Sequence, residues 1–185
     1  RNALHIEDDV LADIKDKTSF KTIFNGYESE KLTYDGKRLQ GTNAQWHYPV
    51  KKTLNRFLST FSFVTTERRI TELYALRSLP GCDIQPRHTD SAVEESLRNI
   101  SEDHVPLALL YAIEDQTYLK IWPFDTDYSV IHLNKGDIII FRGDTAHCGF
   151  KYDKLNTRIH AYLDSNRIVC KRKRGTTYID KQNVS

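Results

Sequence analysis

Residues 136–147, Gly136-Asp137-Ile138-Ile139-Ile140-Phe141-Arg142-Gly143-Asp144-Thr145-Ala146-His147, decide the fold. A tight turn, Asn134 to Asp137, enters an apolar run of four residues. A second turn, Arg142-Gly143-Asp144, leaves the run and delivers a histidine. So short a run between turn residues reads as a buried strand, not a helix. Similar runs occur on both sides of it, at 70–79, 105–114, 117–123, 128–133, 147–152 and 157–164. They are short, evenly spaced and rich in Ile, Leu, Val, Tyr and Phe, which predicts an all-β sandwich or barrel.

The first third has a different texture. Ile6, Val10, Leu11 and Ile14 recur at helical spacing, and so do Val50, Leu54, Leu58 and Phe61. Helices are therefore expected over 6–14 and 50–63, packed on the outside of a sheet. Between them, residues 25–49 form a long polar stretch with Gly26, Gly36 and Gly41, ending in Trp46-His47-Tyr48-Pro49. It is expected as a loop, and loops of that length in compact domains are often functional. Trp46 and Tyr48 then have two readings, a packed anchor for the next helix or a lid facing substrate. The expected organisation is one domain over 1–185: a helical and loop preface at 1–69, a β core at 70–165 and a basic tail at 166–185.

Composition excludes several classes. Net charge is +2 and the pI about 8.4, well short of a dedicated nucleic-acid binder. No apolar run approaches a membrane span, and no signal-peptide pattern opens the chain. Cys82, Cys148 and Cys170 are odd in number and lack Cys-x-x-Cys spacing, which argues against a disulfide framework or a structural zinc. An intracellular location, cytoplasmic or nuclear, is expected. Lys171-Arg172-Lys173-Arg174 fits nuclear targeting or phosphate contact, but such a run is more often a solvated edge-strand terminus.

The chemistry rests on His88-x-Asp90, His147 and Arg158. Seven His and sixteen Asp nearly account for one His-x-Asp by chance, so context must decide. His5-Ile6-Glu7 offers the same donors but sits at helical spacing, where positions i and i+2 do not share a face. His88 and Asp90 instead follow a strand and the Pro80-Gly81 turn, and on an extended segment i and i+2 point the same way. Two imidazoles and one carboxylate on one side of Fe(II) leave adjacent positions open. An arginine eleven residues after the second histidine supplies a planar fork for a distant carboxylate.

In this order these parts resemble the Fe(II)/2-oxoglutarate-dependent dioxygenase superfamily. The matching pattern is Leu79-Pro80-Gly81, His88-x-Asp90, Gly136-Asp137, Ile138 to Phe141, His147 and Arg158, over residues 70–165. The resemblance implies a double-stranded β-helix (jelly-roll) core. It implies Fe(II) on His88, Asp90 and His147, with 2-oxoglutarate and O₂ as co-reactants and Arg158 on the far carboxylate of the keto acid. Residues 107–123 look like the paired middle strands of the prolyl-hydroxylase branch, except that Gln116-Thr117 stands where that branch usually has Gly-Gly.

Tyr111 has two readings, a second donor to the cosubstrate carboxylate or a core tyrosine with a satisfied hydroxyl. His160 shares a strand face with Arg158 by alternation, and either lines the pocket or bonds within the barrel. His132 reads as structural, and His47 and His104 as solvated. Residues 91–104 read as a polar insertion, either a surface helix or a rim shaping substrate entry. The expected substrate is a protein residue or a nucleobase. The alternatives are a small-molecule oxygenase and an inactive jelly-roll module that binds or senses.

Overall fold

The computed structural model describes residues 4–29, 31–62, 64, 68–91, 104–123 and 127–165, and the backbone of 178–179. Its core is two facing antiparallel sheets. The larger sheet has strand order β1-β4-β5-β12-β7-β10, with β1 Ser19–Thr22, β4 Arg38–Thr42, β5 Arg68–Ser78, β12 Asn156–Ser165, β7 Leu107–Ala112 and β10 Ile138–Arg142. The smaller has order β13-β6-β11-β8-β9, with β13 Tyr178–Ile179, β6 His88–Thr89, β11 Ala146–Gly149, β8 Thr117–Trp122 and β9 Ser129–Leu133. This is the mainly β, two-sheet architecture expected from the run spacing and the jelly-roll core implied by the resemblance, and all seven anticipated runs are strands.

Alternation along β7 shows how the layers are filled. Ala108, Leu110 and Ala112 face the smaller sheet and pack with Leu119, Ile121, Leu133 and Phe141. Leu109 and Tyr111 point the other way, into a second core beneath α1 (Asp8–Asp16) and α2 (Ala44–Leu58). Leu11, Ile14, Val50, Leu54 and Leu58 supply the helical side of that core. The helices therefore bury their apolar stripes on the outside of the larger sheet.

The preface differs from expectation. The stretch at 25–49 is not a loop. It holds a small hairpin of β2 (Gly26–Glu28) and β3 (Lys31–Thr33), then β4, then the start of α2. Strands of three to five residues with no apolar alternation leave little periodic signal. α2 begins at Ala44, before Pro49, because the Asn43 side chain accepts a hydrogen bond from the Gln45 N–H at 2.8 Å and caps the helix. Trp46 is buried and donates from Nε1 to the Thr18 hydroxyl at 2.8 Å, so the anchor reading holds for it. Tyr48 is 71% exposed. Most of the 91–104 insertion and the 171–174 run lie outside the described residues. No helix among the described residues is long and apolar enough to cross a membrane.

Candidate metal centre and anion pocket

Two loops and one strand pair bring the donor residues together. His88 on β6 pairs directly with His147 on β11, which places the imidazoles side by side, 4.6 Å between ring centroids. The Arg142-Gly143-Asp144 turn fixes the third member. The Gly143 carbonyl accepts from the Asp90 and Ser91 N–H groups at 3.0 Å each, so the turn that delivers His147 also holds the backbone of Asp90. A Cβ at Gly143 would lie 2.6 Å from Ser91 Oγ and 3.2 Å from the Pro106 carbonyl, which is why glycine occupies this turn. One ligand atom from each of His88, Asp90 and His147 lies within 4.8 Å of the others.

The tautomers follow from the neighbours. His88 Nδ1 lies 2.7 Å from the Pro86 carbonyl, and His147 Nδ1 lies 3.0 Å from the Thr145 carbonyl. A carbonyl only accepts, so each Nδ1 carries the proton and each Nε2 keeps a lone pair for a metal. Burial, and next the neighbouring His147, push the His88 imidazole down to about 3, which keeps it neutral. Phe24 and Phe141 stand edge-on to His88 and His147 at 5.1 and 4.9 Å.

Asp90 has two distinct oxygens. Tyr162 donates its hydroxyl proton to Oδ1 at 3.3 Å. Oδ2 is buried and accepts no aligned hydrogen bond, although His160 Nε2 and His147 Nε2 lie 3.2 and 3.6 Å away. Burial pushes this carboxyl up, but the His147 and His160 imidazoles outweigh it and hold it below the usual carboxylate range. A buried carboxylate oxygen left without a donor is costly unless a cation fills the place. Asp90 Oδ2 and the two Nε2 atoms therefore fit a divalent metal, and the N₂O donor set with open positions suits Fe(II). His160 and Tyr162 hold the carboxylate in place; His160 lines the cavity as well as bonding within the barrel.

Arg158 lines the same cavity of about 90 Å³. Its Nη1 donates to Ser78 Oγ at 3.0 Å and to Asn156 Oδ1 at 3.4 Å. Tyr152 packs its ring 5.4 Å from the guanidinium carbon. Among the described residues Nε and Nη2 have no partner, so one edge of the fork remains available to a ligand.

Tyr111 is not part of this site. Ile159, not Arg158, is its register partner on β12, and its ring lies in the core under the helices. Its hydroxyl donates to the Leu4 carbonyl at 3.1 Å. The cofactor-binding role expected for Tyr111 is therefore corrected to the core-tyrosine alternative. The other His-x-acid motif also falls away: His5 and Glu7 are exposed side chains ahead of α1, 3.8 Å apart. His132 is exposed and stacks flat on Tyr118 at 4.9 Å, and His104 Nδ1 lies 3.0 Å from the Ser165 hydroxyl. Cys148 is buried on the face opposite His147 and burial pushes its thiol up to about 11, so it is no ligand.

Sequence reasoning missed Arg38. It comes from the stretch taken for a loop, yet it is 1% exposed and donates to Ser78 Oγ, which also accepts from Arg158. An arginine in the run Lys37-Arg38-Leu39-Gln40 carries no sequence signal that separates it from a surface cation.

No protein-family model matches the chain, and no curated protein sequence matches it. Solved structures do. An oxidoreductase of the 2OG-Fe(II) oxygenase family from Burkholderia pseudomallei aligns with a TM-score of 0.56, over 88% of this chain and 82% of that one, at 12% identity. A prolyl hydroxylase from Trichoplax adhaerens, solved with a peptide fragment of the hypoxia inducible factor oxygen degradation domain, aligns at 0.58 over 89% and 82%, at 12% identity. The non-heme alpha ketoglutarate dependent epimerase SnoN, from nogalamycin biosynthesis, aligns at 0.56 over 88% and 76%, at 11% identity. The chain thus has the fold of the 2-oxoglutarate- and Fe(II)-dependent oxygenases.

Proposed function

We propose that the protein is an Fe(II)- and 2-oxoglutarate-dependent dioxygenase that hydroxylates, or oxidatively demethylates, a substrate C–H. One observation carries this reading. A cavity with three convergent metal donors, His88, Asp90 and His147, is also lined by Arg158, a buried arginine with a free fork edge. The balance is substrate C–H plus O₂ plus 2-oxoglutarate, giving C–OH, succinate and CO₂, with one oxygen atom in each oxidised product.

His88 and His147 would hold the metal through Nε2 and Asp90 through Oδ2. When bound, the iron supplies the redox chemistry that couples O₂ reduction to oxidation of the keto acid. The protein's own part is placement and exclusion of water. Tyr162 fixes the Asp90 carboxylate through Oδ1, which leaves Oδ2 as the ligand. The carbonyls of Pro86 and Thr145 fix both imidazoles. Leu110, Leu119 and Phe141 make the cavity wall apolar and strengthen every charge interaction inside it. Arg158 gives the keto acid's far carboxylate a directional partner and so orients the opposite, keto-acid end toward the metal.

The substrate class proposed is macromolecular, with a protein residue ahead of a nucleobase. The likeness to a prolyl hydroxylase solved with a peptide supports the first; β7 and β8, read from the sequence as a pair, lie in different sheets. An intracellular setting, cytoplasmic or nuclear, fits the cysteine usage. The test is anaerobic titration with Fe(II), or Mn(II) as its redox-quiet substitute, followed by succinate release in air. Wild type should bind one metal per chain and release succinate, and His88→Ala and His147→Ala should lose both. Metal uptake unchanged in both variants would refute the assignment.

A further inference from the structure

The outer face of the smaller sheet departs from the pattern of a solvated sheet. Along β8, Leu119 and Ile121 enter the core, so Tyr118, Lys120 and Trp122 point outward. Register with β9 places His132 opposite Tyr118 and Val130 opposite Lys120. Tyr128 comes just before β9 and lies beside Trp122, with ring centroids 6.0 Å apart. The solvated face of an antiparallel sheet is ordinarily polar. Of these six side chains four are aromatic, one is aliphatic, one is cationic and none is acidic. The face is open: Tyr128 is 57% and Val130 43% exposed, and His132 is exposed as well.

The rings and the cation have a defined arrangement. Tyr118 and His132 lie flat on one another, 4.9 Å between centroids and 19° between planes. Lys120 Nζ stands 3.8 Å from the Tyr128 ring centroid and 4.9 Å from that of Trp122. Lys120 makes no ion pair among the described residues, Asp127 included, so aromatic rings alone hold its ammonium. Arg87 Cζ lies 5.0 Å from the Trp122 ring and adds a second positive charge beside it. The two aromatic pairs are four strand residues apart, about 13 Å, and Lys120 lies midway between them. A cation between two aromatic platforms suits a single-stranded nucleic acid, whose bases stack on rings while its phosphates meet positive charge. A duplex keeps its base faces covered, and an acidic peptide would use the charge but not the rings. The net charge of +2 averages over the whole chain and does not describe this face.

We propose that this face is a binding site for single-stranded nucleic acid. One base stacks on the Trp122–Tyr128 pair, another on the Tyr118–His132 pair, and a phosphate between them meets Lys120. The site lies on the reverse of the sheet that carries His88 and His147, and none of its six side chains lines the cavity. It stands apart from the keto-acid reading and involves no metal.

The experiment is fluorescence anisotropy with the full chain and three labelled probes: a short oligouridylate, its duplex with oligoadenylate, and an oligoglutamate peptide. The single strand should bind at least about tenfold more tightly than the duplex or the peptide, with affinity falling as salt rises. Tyr128→Ala, at an exposed position, should weaken the single strand about fivefold or more, the loss of one stacked base, and leave the salt dependence unchanged. Tyr128→Phe, which keeps the ring, should recover the affinity. Lys120→Gln should lower the slope of log affinity against log salt by about 0.7, the value for one phosphate on a single strand. Equal binding of single strand and duplex would mean charge alone, and tighter binding of the peptide would mean an acidic protein partner. Either result overturns the proposal, as does a wild type that binds no single strand, or a Tyr128→Ala protein that binds it like wild type. Metal uptake and succinate release, which test the keto-acid reading, do not enter this assay.

Discussion

Replacing Gly149 by alanine tests the packing behind Arg38. A Cβ built on Gly149 lies 2.5 Å from Gln85 Oε1, 2.7 Å from Arg38 Nη1 and 3.4 Å from Arg38 Cζ. Neither neighbour is a loose side-chain tip. Gln85 is tied through Nε2 to the Phe24 carbonyl at 2.8 Å, and Arg38 through three carbonyls and Ser78. Overpacking of this kind costs about 1–3 kcal/mol. The Gly149 N–H to Gln85 Oε1 bond, 3.2 Å, would also stretch or break, adding about 1 kcal/mol. Removing a strand glycine returns roughly 0.5–1 kcal/mol of chain entropy. The net is about 1–3.5 kcal/mol, or a drop in Tm of about 2–14 °C for a chain of this size. Thermal denaturation and urea unfolding should both show it. Gln85→Ala/Gly149→Ala should cost less than the sum of its two single changes, because the first removes the shorter contact. A Gly149→Ala protein within about 0.5 kcal/mol of wild type would refute the close-packed picture of the cavity end.

Two other changes separate parts of the argument. Gln116 closes the β7–β8 connection at φ 55°, in the left-handed region, where the resembling branch usually has glycine. Gln116→Gly should therefore stabilise by up to about 1 kcal/mol and raise Tm by about 2–4 °C, measured by calorimetry; a lower Tm would contradict it. The metal-free protein should lose stability in acid. His88 is held near 3 when folded but takes its proton in the usual histidine range when unfolded, so stability falls as pH drops below about 6.5 and levels near 3. Asp90, held low, adds a further loss as pH falls below the ordinary carboxylate value. The unfolding free energy of chelator-treated protein, from urea titrations between pH 7.5 and 4, should fall by a few kcal/mol in wild type, and by less in His88→Gln.

Much of the core was legible because its strands alternate or run apolar between turn residues. The cluster that could hold a metal was legible because extended backbone sends i and i+2 to one side, which separated His88-x-Asp90 from His5-x-Glu7. Tyr111 was misplaced for the opposite reason. Leu107 to Ile113 is apolar on both faces, so the run has no parity to read, and only the pairing of Ile159 with Tyr111 turns the ring toward the helices. Pro49 similarly drew the expected helix start to residue 50, whereas the Asn43 cap sets it six residues earlier. Arg38 was invisible because its burial depends on β4 joining β5, and β4, five residues long, is too short to announce itself.

That pairing divides the cavity by its history of assembly. Ser78 receives Arg38 from 40 residues upstream and Arg158 from 80 residues downstream. Such contacts close long loops, and their entropy is lost before any attraction is gained. The Pro80-Gly81 turn forms locally, but the two guanidinium groups share Ser78 only after β4 and β12 have both met β5. A nascent chain released before residue 158 would lack that contact. The like charges would then come together only in the nearly finished molecule, when the enclosing sheets can already hold them against their mutual repulsion.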